Sequence, residues 1–382
     1  MQKIKILIVA GAMEVGGIEN QLMHLLRNAD KTKYQIDFTT TADHPFYEDE
    51  MLSLGAKCIH IKGTAGGKHL ISYCREIKKV IKEGGYDIVH SHELFHSGLV
   101  LWAAKKAGVK VRIVHAHTCK DGDITAKSGL KRRVYNACMK FLIHKYATDY
   151  CACSTLAGEF LFGKKIVGKD NYHLIFNSVD TTMFIENYGR EESGEFCDPE
   201  RVNVIQIGRF DTIKNQLFTV EIAKVLKDRG SNIRILCAGN DGNDYEAKVR
   251  LKIKEYGVED QILLLGVRKD VDVLMRKAKA LIQPSLYEGM PLVMIEAQAS
   301  GLPSVTADTY SHEVDFGVGL MRWMQLSDGA EKWADALEET VKSPRAKKED
   351  VVRVINEKGF DSRIFAERIC AIYKNAVEDE IQ

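Results

Sequence analysis

Two glutamates, Glu288 and Glu296, stand with seven residues between them in the run Pro284-Ser285-Leu286-Tyr287-Glu288-Gly289-Met290-Pro291-Leu292-Val293-Met294-Ile295-Glu296-Ala297. A carboxylate accepts hydrogen bonds, so a spaced pair suits a ligand rich in hydroxyls. The apolar run Ala280 to Gln283 reads as a strand leading in, and Pro291 suits the first turn of a helix running to Ala299. Glu288 then falls on the loop at the strand's carboxyl end, and Glu296 about a turn and a half inside the helix. The opening turn, with Gly289, Met290, Pro291 and Leu292, presents helix amides and the positive end of the helix dipole, where an anion can sit. Taken alone, Glu296 could equally face solvent.

A second group of candidates follows the apolar run Val202 to Ile207, in Gly208-Arg209-Phe210-Asp211-Thr212-Ile213-Lys214-Asn215. Arg209 and Lys214 are cations at the end of a strand, the place where open sheets bind ligands; the plain alternative is a solvated strand end and helix start. Gly16 and Gly17 come between the first strand and the first helix, where a missing side chain lets backbone amides approach a phosphate or a sugar. The spacing from Gly11 is not Gly-x-Gly-x-x-Gly, so a nicotinamide or flavin enzyme gains no support. His115-Ala116-His117-Thr118 follows the run Val111 to Val114, again at a carboxyl end. Alternating histidines can hold a metal, but no third ligand stands at convincing spacing, and no metal or cofactor is expected.

The elements that must position these residues alternate regularly. Strands are expected at Ile4 to Ala10, Tyr34 to Thr40, Lys57 to Ile61, Ile88 to His90, Val111 to Val114, Tyr150 to Cys153 and Tyr172 to Phe176. Helices are expected between them at Ile18 to Arg27, Pro45 to Leu54, Leu70 to Glu83 and Ser97 to Ala107. Periodicity lapses between Asn177 and Glu200, then restarts with strands at Val202 to Ile207, Ile233 to Ala238, Ile262 to Leu265, Ala280 to Gln283 and Ser304 to Thr306. Helices in this half are Lys214 to Arg229, Tyr245 to Tyr256, Asp270 to Lys277 and Pro291 to Ala299, and a last amphipathic stretch covers Arg363 to Val377. Such alternation requires a parallel sheet covered on both faces, here twice. The expected organisation is an N-terminal Rossmann-like domain over 1–176, a second over 177–359, and a terminal helix within 360–382 that crosses back to the first.

Length and composition agree with two globular domains. The chain has 382 residues, 45% hydrophobic and 28% charged, with only 6 prolines, which disfavours disorder and coiled coils. The first apolar run is too short to span a membrane and poorly flanked for a signal peptide, so a cytoplasmic protein is expected. Nine scattered cysteines read as reduced thiols. Net charge is +1, yet residues 1–188 hold 26 Lys/Arg against 19 Asp/Glu while the remainder holds 28 against 34. The basic first half suits an anionic lipid surface, a phosphorylated acceptor or an acidic partner domain. Its cations concentrate at Lys127, Lys131, Arg132, Arg133, Lys140 and Lys145, interleaved with Leu130, Val134, Tyr135, Met139, Phe141 and Leu142. That stretch suits either peripheral contact with an anionic membrane or a solvated helix whose apolar stripe joins the core. No nucleic-acid readout motif is present.

The Glu288 to Glu296 segment, closed by Gly301 and Pro303, resembles the Glu-x7-Glu signature of retaining glycosyltransferases of family 4, which adopt the GT-B fold of two Rossmann-like domains facing a central cleft. The Gly208-Arg209 to Lys214 element and the Gly11 to Glu19 loop are similar to that family's corresponding motifs, and the ordered resemblance covers nearly the whole chain. Its flavour is that of the bacterial exopolysaccharide and capsule branch. The resemblance implies an N-terminal acceptor-binding domain and a C-terminal donor-binding domain. It implies that Arg209 and Lys214 hold the pyrophosphate of a nucleotide-sugar, UDP-linked by default, that Glu296 binds ribose hydroxyls, and that Glu288 contacts the sugar. It places His117 beside the donor sugar, with His115 packed behind it, and gives the Gly16-Gly17 loop to the donor.

In this picture the configuration is retained, no metal is needed, and the acceptor is a glycan or lipid-linked hydroxyl. Asp121-Gly122-Asp123 superficially matches the metal-binding Asp-x-Asp of another glycosyltransferase fold and reads here as a surface turn. Many relatives carry paired glycines and a glutamate after the Gly301-Leu302-Pro303 equivalent. This chain has Asp308-Thr309-Tyr310-Ser311-His312-Glu313 with no glycine pair, leaving Glu313 as the acidic residue available. The rival readings are a sugar-nucleotide epimerase or a phosphorylase on the same architecture, and a non-catalytic sugar-nucleotide-binding subunit.

Overall fold

The computed structural model describes residues 3–14, 16–62, 70–120, 129–190, 192–239 and 242–380. The chain divides into two compact units, Met1–Ser178 with Asp361–Gln382, and Val179–Phe360. The first contains strands β1 (Ile4–Val9), β2 (Tyr34–Thr40), β3 (Cys58–His60), β4 (Ile88–Ser91), β5 (Val111–Ala116), β6 (Asp149–Ala152) and β7 (Tyr172–Leu174). Its helices are α1 (Gly17–Asn28), α2 (Glu48–Ser53), α3 (Leu70–Gly84), α4 (Ser97–Ala107), α5 (Leu130–Tyr146) and α6 (Thr155–Phe162). The second contains β8 (Val202–Ile207), β9 (Ile233–Ala238), β10 (Ile262–Gly266), β11 (Ala280–Gln283), β12 (Ser304–Ala307) and β13 (Met321–Met324). Its helices are α7 (Thr182–Ile185), α8 (Gln216–Asp228), α9 (Asp244–Tyr256), α10 (Val271–Lys277), α11 (Leu292–Ala299), α12 (Gly329–Thr340) and α13 (Lys348–Lys358), and α14 (Ser362–Asp379) closes the first unit.

Both sheets are parallel throughout. The first runs β3-β2-β1-β4-β5-β6-β7 and the second β10-β9-β8-β11-β12-β13. In each, the chain starts in the middle, winds outward, and returns to the other side of its first strand. The order therefore reverses between β1 and β4 and between β8 and β11, and the crevices beyond their carboxyl ends are where such sheets hold ligands.

The period-two alternation of β1 divides its side chains between the two faces of the first sheet. Ile6 and Ile8 join Leu22, Met23 and Leu26 of α1 and Phe365, Ile369 and Tyr373 of α14. Leu7 and Val9 join Tyr73, Ile77 and Ile81 of α3 with Val100 and Ala104 of α4 on the other. The second unit's core sets Val204, Ile235 and Ile282 of the sheet against Val220 and Leu226 of α8 and Trp333 and Leu337 of α12. The central strands are largely buried on both faces because helices cover both, which makes their sequence runs legible without strict alternation.

The structure adds elements that the patterning leaves out. β13, α12 and α13 all lie between Thr306 and Arg363, a span to which no element is assigned from sequence. β13 is a half-buried edge strand carrying Arg322 and Trp323, so it lacks a clean apolar run, and α12 opens on Gly329.

From Leu130 onward the basic stretch forms α5, and Lys127 lies outside the described residues. Met139 and Ile143 are buried, whereas Leu130, Val134 and Phe141 are 77%, 53% and 62% exposed. At 3.6 residues per turn these three, with exposed Ala137 and Cys138, fall within an arc of about 100° opposite the buried pair. The helix therefore has two apolar sides, one in the core and one outward. Among the described residues no helix is long and apolar enough to cross a membrane.

Candidate functional site

In the second unit, β8 and β11 are neighbours, with Ala280 opposite Val204 and Leu281 opposite Ile205, so the loops that leave their carboxyl ends must run side by side. The first loop leaves β8 through Gly208 at φ 153° and enters α8 through Asn215 at φ 57°. A Cβ on Gly239, at the end of β9, would lie 2.1 Å from the Gly208 carbonyl oxygen, so the backbones meet only because Gly239 has no side chain. Within the loop, Asp211 Oδ1 accepts the Lys214 amide at 2.9 Å, and Gln206 Nε2 and Gln216 Nε2 each donate at 2.9 Å to the carbonyls of Lys214 and Arg209.

The second loop is tied to the first by backbone and side chains. The Leu286 amide donates to the Ile213 carbonyl at 2.8 Å, and Asn215 Nδ2 donates to the Pro284 carbonyl at 3.1 Å. Across this seam Lys214 Nζ lies 2.6 Å from Glu288 Oε1, both side chains largely covered at 19% and 14% exposure. The same carboxylate oxygen accepts Ser285 Oγ at 2.9 Å, and Gln283 Nε2 donates to Ser285 Oγ at 2.8 Å. Thr309 Oγ1 holds the Ser285 carbonyl at 2.7 Å from the next loop. The structure thus brings Lys214 and Glu288 together through a framework that fixes both.

Glu296 lies in the second turn of α11, partly buried, and burial pushes its carboxyl up to about 7 against the pull of Lys214. Pro291 is the residue just before α11, which has no side-chain cap, so its first-turn amides face the loop that carries Glu288. Gly289, Met290 and Pro291 are buried and Leu292 half-buried along that turn. Arg209 is on the same loop as Lys214, but its guanidinium is 67% exposed and lies 3.9 Å from Asp211 Oδ2. It is therefore drawn toward Asp211 and solvent rather than into the Lys214 to Glu288 pair. Glu313 accepts Ser311 Oγ at 2.7 Å, and His312 stacks on Trp323 at 3.9 Å while bonding Asp308 at 2.7 Å.

In the first unit, Gly16 precedes α1 in extended backbone that any residue can adopt, and a Cβ there would meet the end of the flexible Glu19 side chain at 2.4 Å. Gly17 begins the helix. The backbone angles therefore do not demand glycine at Gly16; any need for it comes from close approach. Among the described residues of this loop the strained one is Met13, fully buried at φ 52°.

His117 does not stand alone. β4 and β5 pair in register, with His90 opposite Ile113 and Ser91 opposite Val114, so His90, His92, His115 and His117 project from adjacent strand ends onto one face. His92 Nδ1 and His117 Nε2 are 2.8 Å apart, and His90 Nδ1 bonds the Tyr373 hydroxyl at 2.8 Å. Burial holds His117 down to about 3 and the other three well below the usual histidine value, with mutual repulsion adding to it, so all four rings are neutral.

Sequence reasoning identifies Lys214, Glu288, Glu296 and His117 but passes over Asp211, Gln283, Ser285 and His92, which hold Lys214, Glu288 and His117. His90-Ser91-His92 repeats the spacing of His115-Ala116-His117 at the end of the preceding strand, and that repetition is the signal available for His92. The other three are ordinary polar residues with no motif of their own. Asp121-Gly122-Asp123 lies outside the described residues.

Comparison with known proteins places these loops in a familiar setting. Residues 15–183 match the family described as Glycosyltransferase Family 4, and residues 192–356 match Glycosyl transferases group 1. EpsF of Bacillus subtilis (strain 168), which its name provisionally assigns as a glycosyltransferase, is 32% identical over 383 residues, 98% of either chain. CapH of Staphylococcus aureus, a capsular polysaccharide biosynthesis glycosyltransferase, is 28% identical over 296 residues, 77% of this chain and 78% of its own. Among solved structures, Anabaena Alr3699/HepE in complex with UDP and glucose superposes with a TM-score of 0.75 at 15% identity, covering 96% of this chain and 98% of that one. The fold is shared with it.

Proposed function

This chain belongs to glycosyltransferase family 4, and on that basis we propose that it transfers a sugar from a UDP-sugar, with retention and without metal, to a hydroxyl of a glycan or lipid-linked acceptor in cell-surface polysaccharide synthesis. The observation that carries the reading is the meeting of Lys214 and Glu288 at 2.6 Å, beside the uncapped start of α11 and at the point where the second sheet reverses its strand order. A cation, a row of amides and a hydroxyl-accepting carboxylate in one crevice match the parts of a nucleotide diphosphate sugar.

In this reading, donor binding exchanges partners. The diphosphate takes Lys214 from Glu288, which frees the carboxylate to accept from a sugar hydroxyl. The acceptor hydroxyl attacks the anomeric carbon on the face from which the diphosphate departs. The new C–O bond forms as the old one breaks, the electron pair leaves with the diphosphate, and the hydroxyl proton passes to a diphosphate oxygen. Lys214, Arg209 and the α11 dipole meet the growing negative charge, the kind of preorganised stabilisation worth about 3 kcal/mol per donor. Arg209 contributes by swinging from Asp211. Glu296 accepts ribose hydroxyls, the Gly16-Gly17 loop lends amides to the donor, and His117, neutral, orients the sugar by hydrogen bonding rather than by charge.

The acceptor side of the proposal rests on α5. Its outward stripe of Leu130, Val134 and Phe141 is flanked by Lys131, Arg133 and Lys145, and the helix has no acidic residue. An apolar stripe edged with cations fits the interface of an anionic bilayer, so we place the enzyme on the inner face of the cell membrane. A cavity of about 390 Å³ lined by Leu94, Phe95, His96, Lys131, Arg132 and Tyr135 adjoins the same helix and suits the phosphate end of a lipid-linked acceptor.

The test is a melting-temperature screen of UDP-, GDP- and ADP-sugars followed by a transfer assay in chelator. A UDP-sugar is expected to stabilise the protein selectively, with transfer unchanged by chelator. Loss of transfer in chelator, restored by manganese, overturns the metal-free mechanism; conversion of donor without acceptor favours an epimerase.

A further inference from the structure

We infer that His92, His115 and His117 form a binding site for a borderline transition-metal ion, of the Zn2+, Co2+ or Cu2+ class, at the carboxyl ends of β4 and β5. One ring nitrogen from each of the three lies within 4.8 Å of the others. The three rings pack as a triangle, His117 stacked on His115 with centroids 4.3 Å apart and on His92 at 5.1 Å, while His92 and His115 are tilted at 5.2 Å. Three imidazoles around one tetrahedral ion at about 2.1 Å need their nitrogens about 3.4 Å apart, so nitrogens that lie within 4.8 Å of one another must close by up to about 1.4 Å.

The ring nitrogens themselves point to a ligand. His92 Nε2, both nitrogens of His115, and His117 Nδ1 are buried and find no hydrogen-bond partner among the described residues. His115 is 1% exposed, yet neither its donor nor its acceptor is met. A buried polar atom left unpaired costs about 1–3 kcal/mol, and several in one cluster would be an expensive way to fill a core that valine could fill. Coordination by an ion satisfies the lone pairs directly, and the neutral imidazole is the form that ligates. In two neutral rings the His92–His117 hydrogen bond uses one N–H and one lone pair, so coordination of one ion by both rings requires that bond to break.

The donor set selects the class of ion. Three neutral nitrogens with no carboxylate in the group favour zinc, cobalt, nickel or copper over magnesium, calcium or manganese, which prefer oxygen. The site is thus distinct in chemistry from a metal that would bridge a diphosphate. His117 is the half-buried member while His92 and His115 are buried, so the ion enters from the His117 side and keeps a position there for water. A second group, His90, His115 and Cys151, shares His115, so an ion in one group excludes an ion in the other. If His117 orients the donor sugar, as proposed above, occupation withdraws it and inhibits transfer; binding itself does not depend on that reading.

The test uses the full chain, dialysed against chelator and titrated with Co2+. One equivalent is expected, with the strong visible absorption of tetrahedral, nitrogen-ligated Co2+, bleached when Zn2+ displaces it. His92→Asn should weaken binding at least about tenfold, and Cys151→Ser should leave it unchanged. No bound Co2+, or binding indifferent to His92→Asn, overturns the site; binding lost in Cys151→Ser instead moves the ion to the other group and overturns this assignment. Histidine ring 15N spectra of the unmutated protein give an answer independent of folding defects: Zn2+ must shift three histidines, and unshifted rings overturn the proposal. Zn2+ that binds without slowing transfer leaves the site standing and overturns only the role of His117 in sugar orientation.

Discussion

Lys214 Nζ sits 2.6 Å from Glu288 Oε1 although the two residues are seventy-four positions apart, and each is held by its own loop rather than by the other alone. The pair is poised against itself: the cation meant for a diphosphate is engaged by the carboxylate meant for a sugar.

This competition separates binding from transfer. Glu288→Gln frees Lys214, so affinity for UDP alone should rise by up to about tenfold, or about 1.4 kcal/mol, while kcat for transfer falls. Lys214→Ala should lower both and leave Glu288 without its cation. Calorimetric titration of UDP alongside transfer kinetics reads the two effects; a Glu288→Gln variant that loses UDP affinity contradicts the exchange.

Glu296 supplies a pH dependence with a definite sign. Its carboxyl is raised from 4.5 to about 7 in the folded protein, so the folded state holds the proton more tightly than the unfolded chain. The stability this contributes is complete below about 4.5 and is lost as pH rises through about 7. Glu296→Gln should therefore gain stability relative to the unmutated protein between pH 5 and pH 8, with a ceiling of about 3 kcal/mol. Urea unfolding at the two pH values measures it. Donor affinity should rise with pH over the same window, because ribose hydroxyls bond the ionised form, and the Gln variant should flatten that slope.

Gly239 guards the seam below the site. Gly239→Ala places a methyl group against the Gly208 carbonyl, which is backbone and cannot turn aside. A loss of about 1–3 kcal/mol in unfolding free energy is expected, together with weaker UDP binding, since the displaced loop carries Arg209 and Lys214. Retained stability with retained affinity would show that the loop can shift freely.

The outward stripe of α5 predicts vesicle binding. Leu130→Glu with Phe141→Glu should abolish sedimentation with anionic vesicles, and each of Lys131→Gln, Arg133→Gln and Lys145→Gln should weaken it about fivefold at low salt. Transfer to a soluble acceptor should be unaffected by the Leu130 and Phe141 changes. Equal binding to neutral and anionic vesicles would remove the electrostatic part of the docking.

The sequence by itself determined the sheet-and-helix alternation, because buried parallel strands are short apolar runs and their helices are amphipathic. β2, α4, β8, β9 and β11 fall on their expected residues. It also determined the identity of Lys214, Glu288, Glu296 and His117 as candidates, since each stands just beyond an apolar run or inside the helix that follows one. Only the tertiary structure decided which of them meet. Strand order carries this information and leaves no local trace: β8 adjoins β11, so Lys214 reaches Glu288, and β4 adjoins β5, so four histidines converge from two separate strand ends. The outward apolar side of α5 was undecided in the same way, because a residue's spacing fixes its side of a helix, whereas the packing of the neighbouring elements fixes which side is covered.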